Sequence, residues 1–149
     1  MANKVRAEEP LTDELLEQLL ASASPEAYLA ATELPDRTLS TYLHDLLDGH
    51  GLTRADVIRA SGLNGTFAYD VFQGKRGIGR DNAIMLAFGL GCTLQETQRL
   101  LRLAGVAELW CKVRRDAIII FCVEHGYTRT QCDDELFRLG ENTLLPQEG

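Results

Sequence analysis

The sequence has no long hydrophobic run. Its longest unbroken apolar stretch, residues 117–123, contains seven residues, whereas a membrane-spanning helix needs about 20. It also has no charged segment followed by an apolar one at its start, which is the pattern of an export leader. We therefore expect a cytoplasmic protein that is neither exported nor embedded in a membrane.

Cysteine is scarce and follows no ligand pattern. The four cysteines are separated by 19, 11 and 10 residues and form no CxxC pair. They are Cys92, Cys111, Cys122 and Cys132. We expect buried free thiols in a reducing compartment, without a disulfide and without a bound metal.

Patterns that carry catalysis are missing as well. The three histidines are isolated from one another and from any serine or cysteine in a catalytic arrangement. Gly74, Gly77 and Gly79 lack the GxGxxG or GK[ST] spacing of phosphate-binding loops. We therefore predict that the protein is not an enzyme and holds no cofactor.

The chain lacks the positive net charge that is typical of proteins binding polyanions without specificity. Its net charge is −7, but that charge is unevenly distributed. Residues 1–51 carry a net −7 and residues 81–149 a net −3, whereas residues 52–80 carry a net +3 from five bases and two acids. The single basic block therefore coincides with one short part of the chain.

The patterns that are present are helical. Nearly every apolar run follows the helical period, and none shows sustained alternation of apolar and polar residues, so we predict an all-α protein. Capping residues and glycine stops predict helices that start at Thr12 and Pro25, and further helices over about 39–49, 53–61, 64–73, 80–90, 93–104, 107–125 and 130–139. Short connections between short helices indicate antiparallel neighbours around one core.

Residues 80–105 and 115–140 form an internal repeat at an offset of 35 residues, with seven identities in 26 positions. Each copy begins with Arg-Asp and contains a helix, a glycine stop, a threonine cap and a second helix. The repeat predicts a second helical hairpin stacked on the first. The alternative is that any two capped hairpins share such residues.

Two further apolar features are expected to be structural. Residues 118–123 are apolar all round, which favours a buried core helix or a dimer seam over a ligand site. Trp110, the single tryptophan, lies between two predicted helices and is expected to serve packing rather than recognition.

Residues 51–76 read GLTRADVIRASGLNGTFAYDVFQGKR. Two short predicted helices meet there at Gly62, which permits the positive φ of a tight turn. The positions expected to face the core are Val57, Ile58, Leu63, Ala68, Val71 and Phe72. This arrangement is that of a helix-turn-helix.

The stretch resembles the Cro and repressor-type (XRE-like) helix-turn-helix family, in which Phe72-Gln73-Gly74 followed by bases is a frequent end of the recognition helix. The similarity spans about residues 39–103 and covers all five helices of that fold. Ile58 and Ser61 depart from the family, which usually has a small and an apolar residue at these positions. The chain looks most like a subgroup that carries extra C-terminal helices.

The resemblance implies an all-α, lambda-repressor-like five-helix domain with additions at both ends. Residues 1–38 would form an acidic helical N-terminal arm, and residues 39–105 the helix-turn-helix DNA-binding domain. Residues 106–149 would form a C-terminal helical extension for packing or dimerisation.

The period of the second helix selects the residues that face outwards. With Ala68, Val71 and Phe72 turned inwards, the candidates for reading DNA bases are Asn64, Thr66, Tyr69, Asp70 and Gln73. The candidates for binding phosphates are Arg54, Lys75, Arg76 and Arg80. Asn64 and Gln73 could each pair bidentately with adenine.

We therefore expect a sequence-specific DNA-binding transcriptional regulator that acts on double-stranded DNA as a homodimer, associated with the nucleoid when bound. A protein-protein interaction module with little or no DNA binding is the alternative. Asp70 motivates this alternative, because an acid facing a groove meets the phosphates unless it accepts from cytosine or is neutralised by Lys75. The aromatic pair Phe67 and Tyr69 would also suit a protein partner.

Overall fold

The computed structural model describes residues 12–32 and 38–146, and every regular element in those ranges is an α-helix. The predicted all-α class is therefore confirmed for the described part of the chain. Its helices are α1 (Thr12–Ala21), α2 (Pro25–Ala31), α3 (Leu39–His50), α4 (Arg54–Ser61), α5 (Gly65–Phe72), α6 (Arg80–Leu90), α7 (Leu94–Leu103), α8 (Arg114–Glu124) and α9 (Arg129–Arg138). None of these helices has the length and apolar character needed to cross a lipid bilayer.

The chain divides into two compact units, residues 1–37 and 38–149. The first unit contains α1 and α2, and Ser24 starts α2 as predicted, because its hydroxyl accepts a hydrogen bond from the Ala27 N–H at 3.0 Å. Residues 1–11 and 33–37 of the predicted acidic arm lie outside the described residues. Three leucines of α1 are exposed: Leu16, Leu19 and Leu20.

Capping side chains fix the helix starts in the second unit. Thr38, Thr53, Thr93 and Thr128 each accept a hydrogen bond from the backbone N–H three residues later, and the side chain of that residue bonds back to the backbone of the threonine. Each capping box therefore satisfies two backbone groups that a helix end leaves unpaired. The predicted starts of α4, α7 and α9 are confirmed to within a residue.

One hydrophobic core runs through α3 to α9 and continues past the last helix to Leu144. Its largest fully buried side chains include Tyr42, Leu46, Phe72, Leu86, Leu100, Ile119 and Leu136. The sequence suggested separate segments over residues 39–105 and 106–149, but the described residues of both segments, up to Leu144, contribute to the same core.

The turn between α4 and α5 contains a buried hydroxyl. Gly62 has a φ of 84°, which only glycine adopts readily. Ser61 is fully buried, and its Oγ donates to the Ile58 carbonyl at 2.8 Å and accepts from the Leu63 N–H at 3.2 Å. A polar residue is tolerated at this inward position because both hydrogen bonds stay within the turn.

Helices α4 and α6 approach each other closely at Gly89. A Cβ atom at this position would lie 2.6 Å from the carbonyl oxygen of Val57 and 3.0 Å from the Cβ of Ser61. Only a residue without a side chain fits against the backbone of α4 at that distance, so Gly89 sets how near the two helices can lie.

Helix α8 is shorter than predicted. It begins at Arg114, whereas the sequence pattern predicted a helix from about residue 107. Residues 107–109 are held outside any helix, because Arg80 binds the carbonyls of Ala107 and Glu108, and Gln98 bonds both backbone groups of Leu109. Trp110, expected to serve packing, has a side chain that is 59% exposed.

Three of the four cysteines are buried as expected, and Cys111 is exposed. Burial raises the pKa of the Cys122 and Cys132 thiols. These two thiols therefore stay protonated near neutral pH and behave as small apolar groups of the core.

The second hairpin predicted from the repeat is present as α8 and α9, and it pairs reciprocally with the hairpin of α6 and α7. Arg80 binds both carboxylate oxygens of Asp116, at 3.0 and 2.7 Å, and Arg115 binds both oxygens of Asp81, at 2.9 and 3.0 Å. In each ion pair the arginine comes from one copy of the repeat and the acid from the other.

The two arginines also make equivalent backbone contacts. Arg80 donates to the carbonyls of residues 107 and 108, and Arg115 donates to those of residues 142 and 143, each 35 residues further on. Helix α6 contacts α9, and α7 contacts α8. Such reciprocal contacts are those of a local two-fold arrangement. If the second copy were stacked on the first by translation, the arginine of only one copy would reach the acid of the other.

Candidate nucleic-acid interface

Helix α5 has one buried and one exposed face. Ala68, Val71 and Phe72 are buried, as the period predicted, and they fix the helix on the core. Thr66 and Gln73 are exposed on the opposite side. The buried positions therefore determine which side chains of α5 a partner could reach.

Arg54 lies beside the exposed face of α5. It is the first residue of α4, where Thr53 caps the helix, and its guanidinium lies over the Tyr69 ring at 5.2 Å from the ring centroid. Tyr69 is 38% exposed. A guanidinium stacked on an aromatic face is held in place while its N–H edge stays available to an anion.

A second guanidinium lies at the other flank of α5. Arg76 lies over the Phe67 ring at 4.9 Å from the ring centroid. The chain that carries it leaves α5 at Gly74, with the Lys75 N–H bonded to the Asp70 carbonyl at 2.9 Å. Ser40 of α3 donates to the Phe72 carbonyl at 2.6 Å, which anchors the end of α5.

These two contacts frame the exposed face. Phe67 and Tyr69 are two residues apart, so they point about 160° apart around the helix axis. Arg54 therefore flanks one side of the face and Arg76 the other, with Thr66 and Gln73 between them. We call this set the α5 surface, and its members are Arg54, Thr66, Phe67, Tyr69, Asp70, Gln73, Lys75 and Arg76.

Arg80, a predicted phosphate ligand, is bound elsewhere. Its guanidinium donates to both oxygens of Asp116 and to two backbone carbonyls, so four of its five N–H groups are used inside the protein. Burial raises the pKa of Asp116, but the Arg80 hydrogen bonds and a 3.0 Å bond from the Trp110 N–H outweigh it and hold that pKa below its usual value. Arg80 links α6 to α8, and we leave it out of the α5 surface.

Asn64 is positioned by its role as a helix cap. Its side-chain oxygen accepts from the Phe67 N–H at 3.0 Å, which starts α5. Bidentate pairing with adenine needs the amide oxygen as well as the amide N–H groups. The adenine contact predicted for Asn64 would therefore have to share the amide oxygen with the helix cap.

Asp70 is half-buried on the α5 surface. Among the residues that the structure describes, no base forms an ion pair with its carboxylate, so neutralisation by Lys75, one of the two alternatives that the sequence left open, does not occur there. Of the five bases in residues 52–80, Arg59 pairs with Asp56 at 2.7 Å and Arg80 with Asp116. The α5 surface therefore carries three bases outside these ion pairs, namely Arg54, Lys75 and Arg76, and one acid, Asp70.

A contact that the sequence did not suggest joins the last helix to the turn before α5. Arg129 of α9 lies against Gly62, where a Cβ atom would be 3.0 Å from the Arg129 Nε. Asp133 holds this guanidinium at 2.6 Å. No local pattern signals the contact, because the two residues are 67 positions apart in the sequence.

Comparison with known proteins identifies no relative. No protein-family model matches the chain, no curated protein matches it, and no solved structure matches it. Any function assigned to the protein therefore depends on its own residues, chiefly those of the α5 surface.

Proposed function

We propose that this protein is a sequence-specific DNA-binding regulator of transcription that acts as a homodimer. In this proposal α3 to α7 form a lambda-repressor-like domain of the Cro and repressor type. Helices α4 and α5 are its helix-turn-helix, and α5 enters the major groove. The observation that carries the proposal is the exposed face of α5 between two guanidinium groups.

The α5 surface offers the two kinds of contact that such a protein needs. Arg54 and Arg76, with Lys75 beside Arg76, would bind phosphates on either side of the groove. Gln73 would pair with adenine, and Thr66 would contact a thymine methyl group or a phosphate. The buried face of α5 fixes this helix on the core, so the exposed side chains would contact a duplex without rearrangement of the fold.

Charge explains why two copies are needed. Three bases that each neutralise one phosphate give a slope of about −3 for the logarithm of affinity against the logarithm of salt concentration. Two copies double this number of contacts and read two half-sites about one helical turn apart. A homodimer would therefore bind a two-fold symmetric site far more tightly than one chain could.

Neutral substitution of the three bases tests the proposal. We expect Arg54→Gln, Lys75→Gln and Arg76→Gln each to weaken binding to any duplex and to reduce the salt slope by about 1 per chain, because each removes one phosphate contact. The measurement is fluorescence anisotropy with genomic and random duplexes over a range of salt. Arg59→Gln is the matched control, because Arg59 is already paired with Asp56, and its slope should match that of the unsubstituted protein. Failure to bind any duplex more tightly than about 10⁻⁵ M at low salt would refute the proposal.

A protein-interaction module is the second candidate, and the unpaired acid on the α5 surface favours it. Asp70→Asn separates the two candidates. If the surface faces phosphates, removal of about 1 kcal/mol of repulsion should raise DNA affinity about fivefold. An unchanged affinity in the same titrations would instead support the interaction module.

A further inference from the structure

Arg129, the first residue of α9, forms an ion pair that is almost buried. Its guanidinium donates to the Asp133 carboxylate at 2.6 Å, and the two side chains are only 13% and 7% exposed. A second ion pair within α9, between Arg138 and Glu135, is 64% and 31% exposed. Removal of two charges from water costs free energy that their attraction often fails to offset. The position of the buried pair therefore depends on what its two members contact.

The guanidinium of Arg129 lies across the turn at Gly62. A Cβ atom at Gly62 would be 3.0 Å from the Arg129 Nε, 3.3 Å from its Cζ and 3.4 Å from its Nη2. The Nε atom is buried, and no acceptor among the described residues bonds to it. A buried donor without an acceptor costs free energy, so hydrogen bonding of Nε does not explain the position of the group. Packing against the turn and the hydrogen bond to Asp133 fix the guanidinium.

The turn at Gly62 determines where α5 begins. The Gly62 N–H is bonded to a carbonyl of α4 at 3.2 Å, and two residues later Asn64 caps α5 by accepting from the Phe67 N–H. Helix α5 has only eight residues, and its far end is held by the hydrogen bond from Ser40 to the Phe72 carbonyl. A shift of the turn would therefore tilt α5 about its anchored end, and its exposed side chains would move with it.

The acid of the buried pair binds the chain beyond α9. Asp133 accepts from the N–H groups of Leu144 at 2.6 Å and Leu145 at 3.2 Å. Its carboxylate is buried and receives three hydrogen bonds, two from residues 144–145 and one from Arg129. A single side chain therefore joins these C-terminal residues to the arginine that packs on the turn before α5.

The internal repeat shows that docking of residues 144–145 does not by itself require an ion pair. The corresponding residues, 35 positions earlier, are Leu94 for Arg129, Gln98 for Asp133 and Leu109 for Leu144. Gln98 bonds the N–H and the carbonyl of Leu109, at 2.7 and 2.8 Å. A neutral amide thus holds the chain in the first copy, with a leucine at the position of the arginine. What the acid and the arginine add in the second copy is the contact with the turn at Gly62.

We propose that Arg129 and Asp133 are positioning residues of the α5 surface. Asp133 holds the Arg129 guanidinium against the turn at Gly62, and this contact fixes the start of the helix whose exposed side chains would meet DNA bases. The inference rests on the proposed function for its role in DNA reading, and it gives the hairpin of α8 and α9 a part in that reading. The placement of α5 in the free protein does not depend on DNA and is tested without it.

Hydrogen–deuterium exchange of the full-length chain without DNA tests the placement of α5. The double variant Arg129→Leu with Asp133→Gln puts the residue types of the first copy into the second, so no buried charge is left unpaired. We expect the amides of Gly62, Phe67 and Ala68 to exchange at least about tenfold faster than in the unsubstituted protein, because the turn loses its support. Amides at the centre of α3 should keep their exchange rates within about threefold.

A matched control and a conservative variant accompany this measurement. Glu135→Gln with Arg138→Gln neutralises an exposed ion pair of the same helix, and it should leave the exchange of α5 within about twofold. Arg129→Lys keeps a cation for Asp133 but lacks the planar group that lies across Gly62, so the same amides should exchange faster in a folded protein. Exchange of α5 that is unchanged in both Arg129 variants, or faster only in step with that of α3, would overturn the proposal.

DNA binding by the double variant tests the role in reading. Arg54, Lys75 and Arg76 are untouched, so the salt slope should match that of the unsubstituted protein. The preference for a duplex that the unsubstituted protein selects from a random pool, over random duplex, should fall at least about fivefold, because base contacts need an accurately placed helix. An unchanged preference would overturn the role in reading. Absence of binding by the unsubstituted chain would refute the proposed function and this role with it, whereas the exchange rates still decide whether Arg129 places α5.

Discussion

The Arg80→Ala variant is expected to lose about 3–5 kcal/mol of unfolding free energy, because it leaves the Asp116 carboxylate buried without its partner. Asp116 is 3% exposed, and Arg80 supplies two of its hydrogen bonds. Urea denaturation followed by circular dichroism measures the loss. Arg59→Ala is the control, since its ion pair with Asp56 is exposed and should contribute at most about 1 kcal/mol. Equal and small losses in both variants would show that the buried pair does not hold the two hairpins together.

The same pair predicts a response to acid. The folded-state pKa of Asp116 is held below its unfolded value, so the stability it contributes is fully present above about pH 4. That contribution is lost as the pH falls through the folded pKa, when the carboxylate takes up a proton. Arg80→Ala removes the stabilising partner, so its unfolding free energy should fall less steeply with pH below about 4 than that of the unsubstituted protein.

The Gly89→Ala variant is expected to lose up to about 2 kcal/mol of unfolding free energy, although alanine is the better helix former. Helix propensity alone would favour alanine by about 1 kcal/mol. The added methyl group would lie 2.6 Å from the Val57 carbonyl oxygen, which belongs to a helix backbone and cannot move as a side chain would. Helices α4 and α6 would have to separate, and overpacking of this kind costs about 1–3 kcal/mol, which exceeds the gain in helix propensity over most of that range.

Gly65→Ala is the matched control for this change. Gly65 is also helical, and no heavy atom lies within 4 Å of its expected Cβ position. Its thermal midpoint should stay the same or rise slightly, whereas that of Gly89→Ala should fall. A rise in the midpoint of Gly89→Ala would mean that α4 and α6 are not held as closely as described.

The local features of the fold were predictable from the sequence, because each depends on a few adjacent residues. The threonine caps, the turn at Gly62 and the inward positions of α5 follow from capping chemistry and helical period. The start of α8 was not predictable in this way. Residues 107–109 are held out of the helix by Arg80 and Gln98, which are distant in sequence, and no local propensity reports such contacts.

The same distinction between local features and tertiary contacts applies to the α5 surface. Periodicity identified Thr66, Tyr69 and Gln73 as outward-facing, since it concerns only α5 itself. It could not separate Arg54 and Arg76, which lie over aromatic rings of α5, from Arg80, whose guanidinium is turned towards α8. A count of bases along the chain does not distinguish these three arginines. The partner that each one contacts depends on tertiary packing.

The contact between Arg129 and Gly62 connects α9 to the turn that precedes α5. Arg129 lies one helical turn before Asp133, and it packs on the bend that sets the angle of α5. A displacement of this arginine would withdraw its support from the bend. The placement of α9 and the start of α5 are therefore linked through a single guanidinium group, although the two lie far apart in the sequence.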